Sequence, residues 1–266
     1  MSDLATVRTD LLAQQHDLDV LVADLEPSRW SAPTPSPGWS VADQIGHLMF
    51  FDDAAALAIE QPDEFVVTRT AAVDAMRSAG GADDYTLGVA RSLAPADLLT
   101  AWRAARARLT AAADRLEPGT RVPWYGPTMG ATSFLTARLM EVWAHGIDIA
   151  DTVGRSLVAT DRLRHVAQLG FITRNWSYAV RGAEPPTTTV RLELRAPSGA
   201  TLTWGPDDAD ECVRGSLESF CLVVTQRRNV LDTDLDAEGT AREWLAIAQA
   251  FAGAPTEPPA PRRAAP

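Results

Sequence analysis

The chain has no lysine; all 24 of its basic residues are arginine. Set against 35 acidic residues, they leave a net charge of −11. That balance argues against a duplex nucleic-acid binder, which needs basic surface to neutralise phosphates. It fits a soluble protein with a small-molecule partner. Abundant alanine beside arginine-only usage reads as the coding bias of a GC-rich bacterial genome. Cysteine is scarce: Cys212 and Cys221 form no CxxC pair and no disulfide framework, and their apolar surroundings read as buried structural thiols. No apolar run approaches the ~20 residues that span a bilayer. Met1-Ser2-Asp3 opens an acidic amphipathic pattern rather than a basic-then-apolar leader, so the cytoplasm is expected. Also missing are a Gly-rich phosphate loop, a GxSxG elbow, an HExxH helix and zinc-knuckle spacing, which leaves nucleotide-dependent, serine-hydrolase and zincin chemistry little support.

What remains is an ordinary globular composition, 46% hydrophobic and 22% charged over 266 residues, enough for one large domain or two modest ones. Leu4, Val7, Leu11, Leu18, Leu21, Val22 and Leu25 recur at helical spacing and predict a helix over residues 3–25, ended by Pro27. Pro33, Pro35 and Pro37 stiffen the following loop. Ser40-Val41-Ala42-Asp43 then supplies a serine cap with an acid at the third helical position, predicting a helix to about residue 60. Residues 62–94 are less regular: a short helix over 71–79 with Gly80-Gly81 as its terminator, within a lid or insertion. Further helices are expected over 95–116, 131–152 and 160–180, with an aromatic loop over 121–127 whose rings can wall a pocket. After Pro185-Pro186 the pattern alternates, predicting strands over 187–194 and 200–204, a short strand over 212–215, a helix over 216–227 capped by Ser216, and a last helix over 240–251. The expected class is α+β, mainly α: a helical bundle over 1–184, a small α/β domain over 185–253, and a disordered proline- and alanine-rich tail over 254–266.

Only four histidines are present, and two matter most. Glu141 and His145 stand four apart on a predicted helix, so their side chains share one face. His47 lies on another helix. Together they offer two imidazoles and a carboxylate, a donor set that leaves a position on a divalent metal open to water or substrate. Taken alone, each has a plain explanation: a satisfied core histidine, or an i,i+4 helix pair. The apolar neighbours Met140, Val142, Trp143 and Ile147 favour the metal reading, since a carboxylate buried among them needs a cation or hydrogen bonds. His16 and His165 have polar neighbours and read as solvated. Asp148 shares the face of His145 and can orient an imidazole or contact a polar ligand. Asp151 reads first as an exposed helix-end acid, with the same contact as its alternative.

Pro37-Gly38-Trp39-Ser40-Val41-x-Asp43-x-Ile45-x-His47-Leu48, followed by Glu141-x-x-x-His145-x-x-Asp148-Ile149, resembles the mycothiol-dependent maleylpyruvate isomerases and their DinB-like metal-binding relatives. The resemblance spans most of the chain. It implies a DinB-like four-helix bundle followed by a C-terminal α/β domain. It implies a divalent metal, usually zinc, on His47, Glu141 and His145, and mycothiol, the small thiol of actinobacteria, as cosubstrate; by their place on the helix, Asp148 and Asp151 are the expected contacts for it. The expected activity is thiolate addition to a small electrophile, ending in cis–trans isomerisation or in S-transfer. In the isomerases an arginine of the C-terminal domain meets an anionic substrate. Arg227, beside Arg228, is the nearest match, although family sequences often carry glycine where this chain has Gln226; a favourable charge at a helix C-terminus explains the pair equally well. Competing readings are a hydrolase using metal-bound water with Asp148 or Asp43 as base, a non-catalytic metal-binding module, and, third, an iron oxygenase by donor type.

Overall fold

The computed structural model describes residues 3–76 and 81–262, with two compact units dividing after Leu157. The first unit opens with α1 (Leu4–Val22), where Asp3 accepts the Thr6 N–H at 2.7 Å. This helix stops before residue 25, and Pro27 begins a short 3-10 turn instead of ending a helix. Helix α2 (Val41–Glu60) carries the expected capping box. Ser40 Oγ accepts from the Asp43 N–H, and Asp43 Oδ2 accepts from the Ser40 N–H at 2.8 Å. Residues 62–94 form two helices, α3 (Pro62–Met76) and α4 (Gly81–Arg91), packed on α2 and on each other. Gly81 therefore opens a helix, with φ +67, and Gly80 lies outside the described residues. Next come α5 (Pro95–Ala113), a small antiparallel pair of β1 (Arg121–Val122) and β2 (Met129–Gly130), and α6 (Ala131–Val153), closed by left-handed Gly154.

Helices α1, α2, α5 and α6 make the four-helix bundle: α1 and α2 each pack against both α5 and α6. Its core is built on Leu18, Ile45, Leu48, Leu98, Trp102, Leu109, Phe134 and Trp143, all fully buried. Gly46 explains how α4 approaches α2. A Cβ there would lie 2.5 Å from the Ala90 Cβ, so the helices meet only because position 46 has no side chain. Gly46→Ala should therefore destabilise the unit by about 1–3 kcal/mol through overpacking, despite alanine's better helix propensity. Urea denaturation measures this; an unchanged or raised midpoint would contradict it.

The second unit contains α7 (Leu163–Ile172), α8 (Arg174–Ala179), β3 (Val190–Arg195), β4 (Thr201–Trp204), β5 (Glu211–Ser216), α9 (Leu217–Val224) and α10 (Gly239–Ile247). The sheet order is β4-β3-β5, with β4 antiparallel and β5 parallel to β3. Helix α9, capped by Ser216, covers β3 and β5 and packs on α7. The unit begins upstream of the expected boundary at residue 185, because α7 and α8 bury their apolar faces in it. Pro185-Pro186 marks a change from helix to strand within one unit. The expected single helix over 160–180 is two, broken at Thr173. His165 is buried in α7, contrary to its polar neighbours; His16 is exposed as expected. Cys221 is fully buried and Cys212 partly so, and burial raises both thiols, Cys221 well above the ordinary range. The tail through Arg262 is hydrogen-bonded to the unit, contrary to expected disorder: Gln226 Nε2 donates to the Thr256 carbonyl at 3.1 Å and Asn229 Nδ2 to that of Pro259 at 2.9 Å. Residues 263–266 lie outside the described set. Among the described residues no helix is long and apolar enough to cross a membrane.

Candidate metal centre

Helices α2 and α6 bring the three expected groups together. Glu141 Oε2 lies 3.1 Å from His47 Nε2 and 3.2 Å from His145 Nε2. One potential ligand atom from each residue falls within 4.8 Å of the other two, the only such group of three among the described residues. The side chains are shielded without being sealed: His47 and Glu141 retain 16% and 20% exposure, and His145 9%. Burial, and next the neighbouring His145, push His47 down to about 4. Burial alone would raise Glu141, but hydrogen bonding to both imidazoles and the Arg138 charge outweigh it and hold the carboxyl well below its usual range. At neutral pH the site thus presents an unprotonated imidazole and a carboxylate, forms that bind a cation.

A second layer fixes the geometry. Gln44, fully buried one turn before His47, meets His145 Nδ1 through its Oε1. A carbonyl oxygen only accepts, so Nδ1 carries a hydrogen, and in the neutral ring Nε2 is the nitrogen able to ligate a cation. Gln44 Nε2 donates to Thr34 Oγ1 at 2.8 Å, and Thr34 Oγ1 donates to the Trp39 carbonyl at 2.9 Å. The relay links the proline-rich loop to the imidazole. Trp39 roofs the site, its ring 5.1 Å from that of His47 and 5.9 Å from that of His145, nearly parallel to the latter. Its Nε1 donates to Asp83 on α4 at 2.9 Å. Phe51 also packs on His47, ring centres 4.6 Å apart, and contacts Trp124 and Tyr125 of the loop before β2. Two rings of the expected aromatic loop therefore pack against Phe51 beside the triad.

Gln44, Trp39 and Arg138 border the triad, and a search for ligand types overlooks them. An amide three residues before a histidine, on an otherwise apolar helix face, was the available signal for Gln44. Gln44→Leu should leave the fold intact and weaken metal affinity by roughly 10–100-fold, the usual effect of removing an imidazole's orienting partner. Competition against a chromogenic chelator reads this directly. Equal affinity in both proteins would remove Gln44 from the site.

Asp148 is buried on α6 and accepts from Ser36 Oγ at 3.0 Å, which pins the loop carrying Trp39. Asp151 is exposed near the helix end. Asp43 is committed to its cap and to Arg91 Nε at 2.8 Å. The Ser40 hydrogen bonds and Arg91 outweigh its burial and lower its pKa, which makes it a poor general base. Arg227 belongs to the second unit, beyond the end of α9 instead of on a helix reaching it. Its Nη1 donates to the Thr225 carbonyl at 2.7 Å. The preceding Gln226 has φ +57, the left-handed conformation that glycine adopts most readily.

A family model described as the mycothiol maleylpyruvate isomerase N-terminal domain matches residues 11–150. Two uncharacterized proteins of Mycobacterium tuberculosis, from strains CDC 1551 and H37Rv, are each 47% identical over 256 residues, covering 96% of this chain and 98% of theirs. Among solved structures, a mycothiol-dependent maleylpyruvate isomerase and its histidine-to-alanine mutant superpose with TM-scores of 0.59 and 0.60. Both comparisons cover 89% of this chain and 93% of the other, at 20% and 19% identity. Likeness at that level speaks for a shared fold.

Proposed function

Because the chain belongs to the family of the mycothiol maleylpyruvate isomerase N-terminal domain, we propose that it is a metal- and mycothiol-dependent enzyme acting on a small electrophile. The observation that carries the reading is the convergence of His47, Glu141 and His145 on one point. The donor chemistry suits a divalent cation, with zinc the best match: two nitrogens and one anionic oxygen from two helices. Such a cation would supply an open position where a thiol loses its proton near neutral pH. The residues around it have distinct tasks. Glu141 balances positive charge, Gln44 holds His145 in the tautomer that points its lone pair inward, and Trp39 and Phe51 limit water around the imidazoles. Asp148 holds the roof loop through Ser36. Asp148 and Asp151 are the proposed contacts for the thiol cosubstrate.

The reaction class follows from thiol chemistry. A thiolate adding to an activated cis double bond forms a C–S bond and leaves a rotatable single bond. Expelling the thiolate re-forms the double bond as trans. Retaining the adduct, with a proton taken up at carbon, is S-transfer. Calorimetry with mycothiol tests the reading: binding is expected to the metal-replete protein and to vanish after chelation. Undiminished binding to the stripped protein would separate thiol from metal and overturn it.

A further inference from the structure

Arg138 lies one turn before Glu141 on α6 and is only 5% exposed. Its guanidinium carbon sits 5.7 Å from the centre of the Phe51 ring and 5.2 Å from that of Trp124. Phe51 also touches the His47 ring, and the Arg138 charge acts on both Glu141 and His47, so this cation borders the metal triad. Its Nη1 is buried with no hydrogen-bond partner, and no ion pair of Arg138 is found among the described residues. A buried guanidinium normally has its donors matched, because an unmatched buried donor is unfavourable. Aromatic faces stabilise the charge but accept none of its hydrogen bonds conventionally.

The nearest carboxylates do not supply the missing acceptor. Glu141 Oε2 is engaged by both imidazoles. Asp52 on α2 is fully buried and accepts only a long bond, 3.4 Å, from Gln15 Nε2, while its Oδ1 is unmatched. Burial raises Asp52 to about 7 despite Arg138, Trp102 and Arg106 acting the other way, so near neutrality much of it carries no charge to offer. Phe51 and Trp124, the rings packed beside Arg138, and their neighbour Tyr125 are each partly exposed.

We infer that Arg138 is the substrate's anion anchor: a specificity-determining residue that binds a carboxylate of the electrophile beside the Phe51 and Trp124 rings. This rests on the triad's being the reactive site. A planar guanidinium donates two parallel hydrogen bonds to a carboxylate. A substrate held there by one end presents its neighbouring carbons toward the triad. The reading thus selects acids over neutral electrophiles in a chain whose overall charge repels them.

The probe is succinate, an unreactive dicarboxylate, with neutral succinamide as its control, titrated calorimetrically into native protein, Arg138→Met and Arg138→Lys. Native protein should bind succinate and discriminate against succinamide. Arg138→Met should weaken succinate at least about tenfold, as expected on losing hydrogen bonds to a charged group, while keeping its metal and its fold. Equal succinate affinity in the folded variant, or no preference over succinamide in native protein, overturns the anchor. Should Arg138→Met fail to fold, Arg138→Lys decides. It keeps the charge and loses the fork, so a several-fold loss is expected and unchanged affinity overturns the proposal. Elemental analysis of the same samples separates the two readings. Metal-free native protein that binds succinate through Arg138 removes the metal reading and leaves the anchor standing; metal-replete protein that ignores succinate removes the anchor alone.

Discussion

His47→Ala and His145→Ala are each expected to purify with under about a tenth of the native metal content and to remain folded helical proteins. A cation held by three protein groups keeps too little affinity when one is removed, since the remaining two contacts cannot offset its dehydration. The fold should tolerate both changes. Neither imidazole anchors the bundle core, which rests on Trp102, Trp143, Phe134 and their aliphatic neighbours. Glu141→Gln makes a sharper version: it keeps the shape and removes the negative charge that the His47 and His145 nitrogens surround. Elemental analysis with far-ultraviolet circular dichroism checks all three. Native-like metal content in either histidine variant would show that the ion, if any, sits elsewhere.

The second large effect is on stability against pH, through Asp52. An unfolded aspartate ionises near its model value of 3.8, whereas the buried one holds its proton to about 7. Below the unfolded value both states are protonated and the group makes no difference. Between the two values only the unfolded chain has released the proton, so stability falls as pH rises, by about 1.4 kcal/mol per unit. The total is on the order of 4 kcal/mol and is complete once the native group also ionises. Asp52→Asn cannot titrate. It should match or exceed the native protein at pH 8, and its advantage should shrink steadily toward pH 4. Urea midpoints of metal-stripped native and variant proteins across that range measure the difference. Parallel profiles would mean that Asp52 is ionised throughout, paired with Arg138 or Arg106.

Sequence patterning reached the site more surely than the domain boundary, and the reasons are physical. A capping box and helical periodicity locate α2 to the residue, and the i,i+4 spacing of Glu141 and His145 needs only one regular helix to place both on a face. His47 is joined to them by donor type and apolar context, with the family resemblance as further support, because convergence of two helices is a tertiary fact. Gln44 and Arg138 escaped for the same reason: an amide and a guanidinium gain meaning from what they face. The division after Leu157 escaped because proline pairs announce a change in local conformation, whereas a unit is defined by where α7 buries its apolar side. Helices α3 and α4 were obscured because α3 is scarcely amphipathic, with Val66 and Val67 exposed, and because a glycine read as a terminator instead begins α4.

The most direct test of the central claim is the metal content of the native chain, purified without added metal and then titrated with zinc after chelation. The account predicts close to one divalent ion per chain on purification and one site refilled on titration. A folded chain that arrives empty and takes up no zinc would contradict it.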